Sequence, residues 1–121
     1  NGQPLPLIAL GPGGTYLLDQ VQAYANINYF PGRQIRQDTF FSTARSIGAS
    51  FISKATHNLA WVIESVRTGR DIQPISDKPG EEEVLFPPGA RFMVQWVDTS
   101  KINLTGGDPL AGKLVVHLIE I

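Results

Sequence analysis

Beyond residue 58 the apolar residues of the chain recur with the two-residue period of β-strands. In NLAWVIES, residues 58–65, Leu59, Trp61 and Ile63 alternate with Ala60 and Val62. The same strand-like character holds in EEVLF, ARFMVQWV and KLVVHLIEI, which prolines and glycines separate from one another. Several short strands must therefore share one core in this half of the chain.

The first half of the chain has a different period, which predicts two helices. Between Thr15 and Asn26 the apolar residues recur at i, i+1, i+4, i+7 and i+8, the spacing of one helix face. That face consists of Leu17, Leu18, Val21, Tyr24 and Ala25. The segment from Arg45 to Lys54 also carries apolar residues at helical spacing and predicts a second, shorter helix.

Short strands and turns connect these helices. Leu5 to Leu10 reads as a strand that the turn GPGG follows, and DTFFSTA, residues 38–44, reads as a strand that runs into a loop. A longer surface loop is expected from Val97 to Gly112. Early helices and late strands are typical of an α+β domain with a small, mainly antiparallel core. In that core we expect the residues Trp61, Phe92, Met93 and Trp96.

Length and composition limit the classes of protein to which this chain can belong. The 121 residues suffice for one domain with a single core and are too few for two. No apolar run approaches the roughly 20 residues of a membrane-spanning helix, and the first residues lack the basic start of a signal peptide. We therefore expect one domain over residues 1–121, excised from a larger protein.

Charge and residue types disfavour several functions. The formal net charge is −1 and the ten lysines and arginines are spread along the chain, which argues against a nucleic-acid partner. Because the chain has no cysteine, disulfides, thiolate metal sites and a cysteine nucleophile are excluded. His57 and His117 are far apart and outside any metal-binding spacing, so we expect a structural or surface role for each, and no metal.

The stretch GEEEVLFPPG, residues 80–89, places three glutamates directly before an apolar strand that two prolines end. Alternation puts Glu81 and Glu83 on one face of that strand, about 6.5 to 7 Å apart, and Glu82 on the other. Such a pair could serve acid and base chemistry at one reacting carbon. It could also be a solvated strand end whose charges prevent unwanted edge pairing. Charge and period leave both interpretations open.

Two segments of the chain match motifs that occur together in one enzyme family. In ISDKPGEEEVLFPPGARFMV a loop runs into Glu81 and Glu83, then into a Val-Leu strand and two prolines. In DTFFSTARSIGASF an aromatic residue precedes Ser42 and Thr43, and Ala44 stands where the family has a second Ser. With 39 residues from Ser42 to Glu81, the two segments resemble the ADP-ribosyltransferase toxin superfamily, in the branch marked by Arg, Ser-Thr-Ser and Glu-x-Glu. The resemblance covers residues 29–97.

The resemblance implies a fold and a reaction. The fold would be a small mixed, mainly antiparallel two-sheet core with one or two N-terminal helices around an NAD cleft. The reaction would cleave the nicotinamide–ribose bond of NAD and pass ADP-ribose to a protein side chain. The chain would then be a mono-ADP-ribosyltransferase of toxin or effector type, a glycosyltransferase with NAD as its substrate and no metal.

The resemblance also implies roles for individual residues. Glu83 would accept a hydrogen bond from the ribose hydroxyl of NAD and stabilise the positive charge of the transition state. Glu81 would orient the acceptor, and a Glu at this position favours an arginine acceptor. Ser42 would hold Glu83 by a hydrogen bond, and Thr43 would support the nicotinamide–ribose pocket. Glu82 would contribute little.

The family's first motif is an arginine on the opening strand that binds the dinucleotide phosphates, and the predicted strand lacks it. Leu10 precedes Gly11 there, and a shifted register offers only Ala9. Arg33 and Arg36 follow the first helix and do not match the motif. Either the chain is a fragment or variant without this arginine, or another basic residue replaces it, or the domain binds NAD poorly and is no enzyme. Backbone N–H groups of the GPGG turn, beginning at Gly11, could also meet a phosphate.

Partners and location follow from the same resemblance. A toxin domain of this kind would be secreted or translocated from a bacterium as the C-terminal module of a larger protein. It would act on a protein in the cytosol of a host or competitor cell, an immunity protein could block its cleft, and no membrane partner is expected. Two alternatives remain: a catalytically silent domain of the same fold, and a small β-rich interaction module whose glutamates form a solvated edge.

Overall fold

Two β-sheets and one helix make up the part of the chain that the structure describes. The computed structural model describes residues 2–3, 16–44, 58–71 and 83–121. Its elements in chain order are β1 (Gly2–Gln3), α1 (Leu18–Asn28), β2 (Gln34–Gln37), β3 (Phe41–Ala44), β4 (Leu59–Ser65), β5 (Arg70–Asp71), β6 (Glu83–Phe86), β7 (Ala90–Asp98) and β8 (Leu114–Glu120). No helix within these residues has the length and hydrophobicity needed to cross a membrane.

Five strands form the larger sheet, in the order β1-β4-β8-β7-β2. Its neighbouring strands are antiparallel except β4 and β8, which run parallel. The smaller sheet has three antiparallel strands in the order β3-β6-β5. The mixed, mainly antiparallel two-sheet core expected from the sequence is therefore confirmed.

The core lies between the two sheets, and the last strand supplies its centre. One face of β8 carries three fully buried residues, and β4 places three apolar residues beside them in register: Leu114, Val116 and Leu118 next to Leu59, Trp61 and Ile63. The alternation in NLAWVIES thus marks a core-facing strand surface. From the small sheet, Phe86 packs into the same cluster.

Helix α1 ends two residues later than predicted and buries a narrower face. Val21 and Ala25 are its buried residues, and Tyr29 is buried directly after the helix ends at Asn28. Leu18, predicted on this face, is 56% exposed at the first residue of the helix. Because Val21 and Ala25 are four residues apart, a single stripe of the helix contacts the core.

One β-bulge changes which residues of β7 face the core. The pairing of β7 with β8 shifts register between Val94 and Trp96, so that Trp96 lies opposite His117. Val97 packs against the core instead, and Trp96 is 48% exposed. The prediction of a core position for Trp96 is therefore wrong, because one extra residue at a bulge reverses the faces of the residues that follow.

The other strand predictions on described residues agree with the structure. DTFFSTA, EEVLF and KLVVHLIEI contain β3, β6 and β8, ARFMVQWV covers β7 except Asp98, and Phe92 is fully buried as expected. The core position predicted for Met93 is wrong, because Met93 alternates with the buried residues Phe92 and Val94 and lies outside the core cluster. The loop predicted from Val97 begins after Asp98, because β7 extends to that residue. The strand from Leu5 to Leu10, the GPGG turn and the helix from Arg45 to Lys54 lie outside the described residues.

Candidate functional site

Ser42 and Glu83 are brought together by the pairing of β3 with β6. In this antiparallel ladder Ser42 lies opposite Leu85 and Ala44 lies opposite Glu83, so Ser42 and Glu83 share one face of the small sheet. The hydroxyl Oγ of Ser42 donates a hydrogen bond of 2.5 Å to Oε2 of Glu83. The hydrogen bond expected between these two side chains is therefore present.

The local sequence of β6 turns Glu83 away from the core. Val84 and Phe86 pack against the core cluster, and Phe86 is almost fully buried. Successive strand residues point to opposite faces, so Glu83 and Leu85 project from the other face. Two prolines then end the strand, since proline has no N–H to donate to a ladder. The apolar run thus fixes the direction of the carboxylate.

An aromatic cluster anchors the two strands that carry these side chains. The ring centroid of Phe41 in β3 lies 5.7 Å from Trp61, 6.1 Å from Phe86 and 5.9 Å from Phe92. Phe86 and Phe92 meet edge to face at 5.1 Å. Such aromatic pairs add about 0.5–1.5 kcal/mol each beyond their buried area. The residue next to Ser42 and the last residue of β6 are therefore held against the large sheet.

Thr43 points to the opposite face from Ser42, into the space between the sheets. Its hydroxyl Oγ1 donates a 3.0 Å hydrogen bond to the backbone oxygen of Val84, its partner in the ladder. Thr43 also lines a cavity of about 240 Å³, and the other described residues that line it have apolar side chains: Ala44, Trp61, Ile63, Val66, Val84 and Phe86. Thr43 therefore places a hydroxyl among apolar side chains in the part of the cavity wall that the structure describes.

This cavity reaches the end of the small sheet where Glu83 lies, because Ala44 lines it and is the ladder partner of Glu83. Its volume is below the roughly 300–1,000 Å³ of sites that enclose drug-sized ligands. The space and the apolar walls therefore suit a single aromatic ring better than a whole dinucleotide.

A buried carboxylate fixes the turn of residues 66–69, which joins β4 to β5. Glu120, at the end of β8, is only 4% exposed. Its Oε1 accepts backbone N–H bonds of 2.6 Å from Arg67 and 2.7 Å from Thr68, and its Oε2 accepts the hydroxyl of Thr68. Successive backbone N–H groups of this kind form an anion-binding nest. Here the protein's own side chain fills the nest.

The pKa of Glu120 results from two opposing effects. Burial raises the pKa, whereas hydrogen bonds from the Thr68 hydroxyl and from backbone N–H groups of the turn lower it. The hydrogen bonds prevail, and the pKa lies below its ordinary value of 4.5. Glu120 is therefore ionised at neutral pH in spite of its burial.

Gly69 brings the same turn into close contact with β6. A Cβ atom on Gly69 would lie 2.7 Å from Cε1 of Phe86 and 2.9 Å from Cγ1 of Val66. Real Cβ atoms do not approach other atoms so closely, so only glycine fits without a shift of its neighbours. Val66 lines the cavity, and Phe86 lies on the strand of Glu83. The turn is thus packed between the cavity and that strand.

Sequence reasoning missed both Glu120 and Gly69. Glu120 does have a signal in the sequence, because it follows Leu114, Val116 and Leu118 at the same two-residue spacing. An acid in a core-facing position is rarely buried without partners. Gly69 has no comparable signal, since TGR reads as an ordinary turn.

Three sequence-predicted positions, Glu81, Gly11 and Leu10, lie outside the described residues. The first strand that the structure describes is Gly2–Gln3, which pairs with β4 at the edge of the large sheet. This strand precedes the predicted segment from Leu5 to Leu10, whose residues lie outside the described ranges.

The described ranges contain no set of three His, Asp or Glu side chains that could hold a metal ion. His117 stacks on Trp96 with ring centroids 4.2 Å apart and ring planes 3° from parallel. Its Nδ1 lies 3.6 Å from Oε2 of Glu64. His117 is thus stacked on a surface aromatic ring, and its Nδ1 has no hydrogen-bond partner among the described residues. His57 lies outside the described residues.

Known proteins share both the sequence pattern and the fold of this chain. A family model described as ADP-ribosyltransferase exoenzyme matches residues 4–116. A curated relative named for NAD(+)–arginine ADP-ribosyltransferase activity, Mav of Mycobacterium avium (strain 104), is 35% identical over 92 residues. Those residues are 76% of this chain and 10% of Mav.

Two solved structures show the same architecture. The ADP-ribosyltransferase HopU1 of Pseudomonas syringae pv. Tomato DC3000 matches with a TM-score of 0.64 and 23% identity, over 99% of this chain and 42% of HopU1. C3stau2 of S. aureus, solved with NAD, matches with a TM-score of 0.58 and 18% identity, over 88% of this chain and 46% of C3stau2. The chain spans less than half the length of each of these three proteins. On the family model and the identity with Mav, the chain belongs to the ADP-ribosyltransferase exoenzyme family.

Proposed function

We propose that this chain is a mono-ADP-ribosyltransferase domain that transfers ADP-ribose from NAD to a side chain of a target protein and releases nicotinamide. The observation that carries the proposal is the 2.5 Å hydrogen bond from Ser42 to Glu83, at the end of the small sheet that the cavity reaches. A hydroxyl–carboxylate contact of this length is a strong, charge-assisted hydrogen bond. It holds the carboxylate in one orientation, as electrostatic stabilisation of a transition state requires.

In the proposed reaction the bond between C1′ of the ribose and the ring nitrogen of nicotinamide breaks. Its electron pair leaves with the neutral nicotinamide, and positive charge develops on C1′ and the ribose ring oxygen. The carboxylate of Glu83 stabilises that charge, by the principle that operates in glycoside hydrolysis. The cavity lined by Thr43 and its apolar neighbours receives the nicotinamide ring.

A nitrogen of the acceptor then forms the new bond to C1′ and loses a proton, which we assign to Glu81. We favour arginine as the acceptor because the position is Glu and because the relative Mav is named for NAD(+)–arginine transfer. We assign the backbone N–H of Gly11 to a phosphate of NAD. The roles of Glu81 and Gly11 rest on the sequence motif alone.

NAD is the substrate in this proposal, and the partner is a protein of a host or competitor cell. Because the family is one of exoenzymes, we place the reaction in the cytosol of a target cell, after export of the protein that carries this domain. An immunity protein that covers the cleft is a further proposed partner.

A catalytically silent domain of the same fold is the second candidate. One feature of the sequence favours it: Leu10 precedes Gly11 in the predicted opening strand, where the family has an arginine for the phosphates of the dinucleotide. Arginine is well suited to that task because its guanidinium can bind a phosphate in a bidentate manner. Without such a group NAD binding would be weakened, and the contact between Ser42 and Glu83 would remain as structure alone.

Nicotinamide release from NAD tests the proposed activity. Wild type is compared with Glu83→Gln and Glu81→Gln, and with Glu82→Gln as a matched control, since the alternation predicted from the sequence would place Glu82 on the other face. We expect wild type and Glu82→Gln to hydrolyse NAD at similar rates. Glu83→Gln should be about 100-fold slower, because it removes the stabilising charge. Glu81→Gln should lose transfer to agmatine, a small guanidine acceptor, more than it loses hydrolysis.

Calorimetry with millimolar NAD separates the remaining outcomes. Binding without nicotinamide release would support the silent domain. No binding at all would contradict both NAD-dependent candidates and favour a β-rich interaction module. Equal losses in Glu82→Gln and Glu83→Gln would show that these glutamates support the fold and not the chemistry.

A further inference from the structure

A cation projects from the small sheet on the face that carries Glu83. Arg70 in β5 lies opposite Leu85 in β6, which lies opposite Ser42 in β3. Residues in register across antiparallel strands share a face, so Arg70 lies on the same face as Ser42 and Glu83. Diagonal neighbours such as Arg70 and Glu83 are about 7–8 Å apart. An exposed positive charge therefore stands close to the proposed catalytic carboxylate.

The turn of residues 66–69 holds the guanidinium of Arg70 in place. Nη1 of Arg70 donates hydrogen bonds of 3.2 Å to the backbone oxygens of Arg67 and Gly69. The N–H groups of the same turn donate to Glu120. The turn is thus anchored on both sides, its N–H groups by a buried carboxylate and its carbonyl groups by an exposed guanidinium. Nε and Nη2 of Arg70 take no part in these two contacts and can meet a ligand.

Arg70 and the cavity lie on different sides of Glu83. The described residues that line the cavity belong to β3, β4 and β6 and to the turn, and none belongs to β5. In the strand order β3-β6-β5, Arg70 stands on the edge away from β3. The cavity proposed for nicotinamide lies on the core-facing side of the small sheet with Thr43 and Val84, whereas Arg70 lies on the outer side with Glu83 and faces what approaches Glu83 from there.

We propose that Arg70 binds a carboxylate of the acceptor protein next to the modified side chain, so that acceptor sites flanked by acidic residues are preferred. The inference rests on the proposed function, since only a transfer reaction has an acceptor. A preorganised guanidinium matches the geometry of a carboxylate and binds it through two parallel N–H groups. The pyrophosphate of NAD is the other anion that could meet this arginine. The position of the cavity favours the acceptor.

Matched peptides test this preference. Gly-Asp-Arg-Asp-Gly and Gly-Asn-Arg-Asn-Gly are compared as ADP-ribose acceptors, with agmatine as an acceptor that has no neighbouring side chain. For wild type at low salt we expect kcat/KM to be about two- to fivefold higher with the acidic peptide, the size expected for one exposed charge-assisted pair. Arg70→Gln should abolish that preference and Arg70→Lys should keep part of it. NAD hydrolysis and transfer to agmatine should stay within about twofold of wild type.

Arg67→Gln is the matched control, because Arg67 is an exposed arginine of the same turn that bonds Glu120 and Arg70 through its backbone. Equal use of both peptides by wild type, or an equal loss of preference in Arg67→Gln, would overturn the inference. A raised KM for NAD in Arg70→Gln would assign Arg70 to the pyrophosphate and overturn it as well. A wild type that releases no nicotinamide overturns the proposed function and this inference with it. Activity without acidic preference removes the acceptor role of Arg70 alone.

Discussion

The substitution Glu120→Leu should destabilise the domain far more than the small change in side-chain volume suggests. The side chain keeps a similar volume, but the turn of residues 66–69 loses its acceptor. The backbone N–H groups of Arg67 and Thr68 both donate to Oε1 of Glu120, at 2.6 and 2.7 Å. The Thr68 hydroxyl, which donates to Oε2, can rotate toward another acceptor, whereas the two N–H groups cannot.

The magnitude follows from these two donors. A buried donor left without an acceptor costs about 1–3 kcal/mol, so two of them cost about 2–6 kcal/mol, with a central value of about 4. For a domain of this size that corresponds to a fall in melting temperature of about 15 °C. Glu120→Gln keeps a neutral oxygen for the N–H groups and loses only the assistance of the charge, which amounts to about 1–2 kcal/mol.

Acid sensitivity gives an independent measure of the same contact. The pKa of Glu120 is lower in the folded state than its ordinary value of 4.5, so the ionised carboxylate stabilises the fold. That contribution is fully present above pH 4.5 and is lost as the pH falls through the lower, folded pKa. Wild type should therefore lose stability in this acid range more steeply than Glu120→Gln, which has no proton to bind at this site.

Urea unfolding at neutral pH and at several acid pH values measures both effects. Glu64→Gln serves as the control, since Glu64 is about half exposed and its replacement should change the free energy of unfolding by less than about 0.5 kcal/mol. A loss below about 1 kcal/mol in Glu120→Leu would refute the reasoning, because the two N–H groups would then have other partners. Equal acid sensitivity in wild type and Glu120→Gln would refute the assignment of the proton to Glu120.

Two further substitutions test the strands around Glu83. Ser42→Ala removes the hydroxyl that orients Glu83 and should lower kcat for NAD hydrolysis about 10–100-fold with little change in KM, whereas Ser42→Thr, which keeps a hydroxyl, should retain part of the rate. Gly69→Ala places a Cβ 2.7 Å from Phe86 and should cost about 1–3 kcal/mol in urea unfolding. An unchanged kcat in the first case, or unchanged stability in the second, would contradict these assignments.

Those parts of the fold could be predicted in which apolar and polar residues alternate locally along a strand. The sequence alone indicates a common face for Leu59, Trp61 and Ile63, because a two-residue period can be recognised without knowing the partner strand. Trp96 was placed wrongly because the bulge after Val94 depends on how β7 pairs with β8, and pairing across strands leaves no local signal.

The site could be predicted to the same extent and for the same reason. The contact of Ser42 with Glu83 follows from two motifs and the alternation of β6, although 41 residues separate the two side chains. The contact of Glu120 with Thr68, at a separation of 52 residues, belongs to no motif. Only the two-residue spacing of Glu120 from the apolar residues of β8 indicates that an acid is buried there. The face of the sheet on which Arg70 lies could be determined only from the register of β5 with β6, since a two-residue strand shows no alternation.

The small sheet that carries Glu83 depends on the large sheet for its position. Its strands have four, two and four residues, too few to hold together in water without packing against another layer. The described contacts provide two anchors: the rings of Phe41 and Phe86 against Phe92, and the turn that Glu120 binds and that packs on Phe86 through Gly69. One wall of the cavity comes from each sheet, so a shift at either anchor changes the distance from that wall to Glu83. Glu120 therefore helps to set the geometry of the cavity, although it has no part in the proposed chemistry.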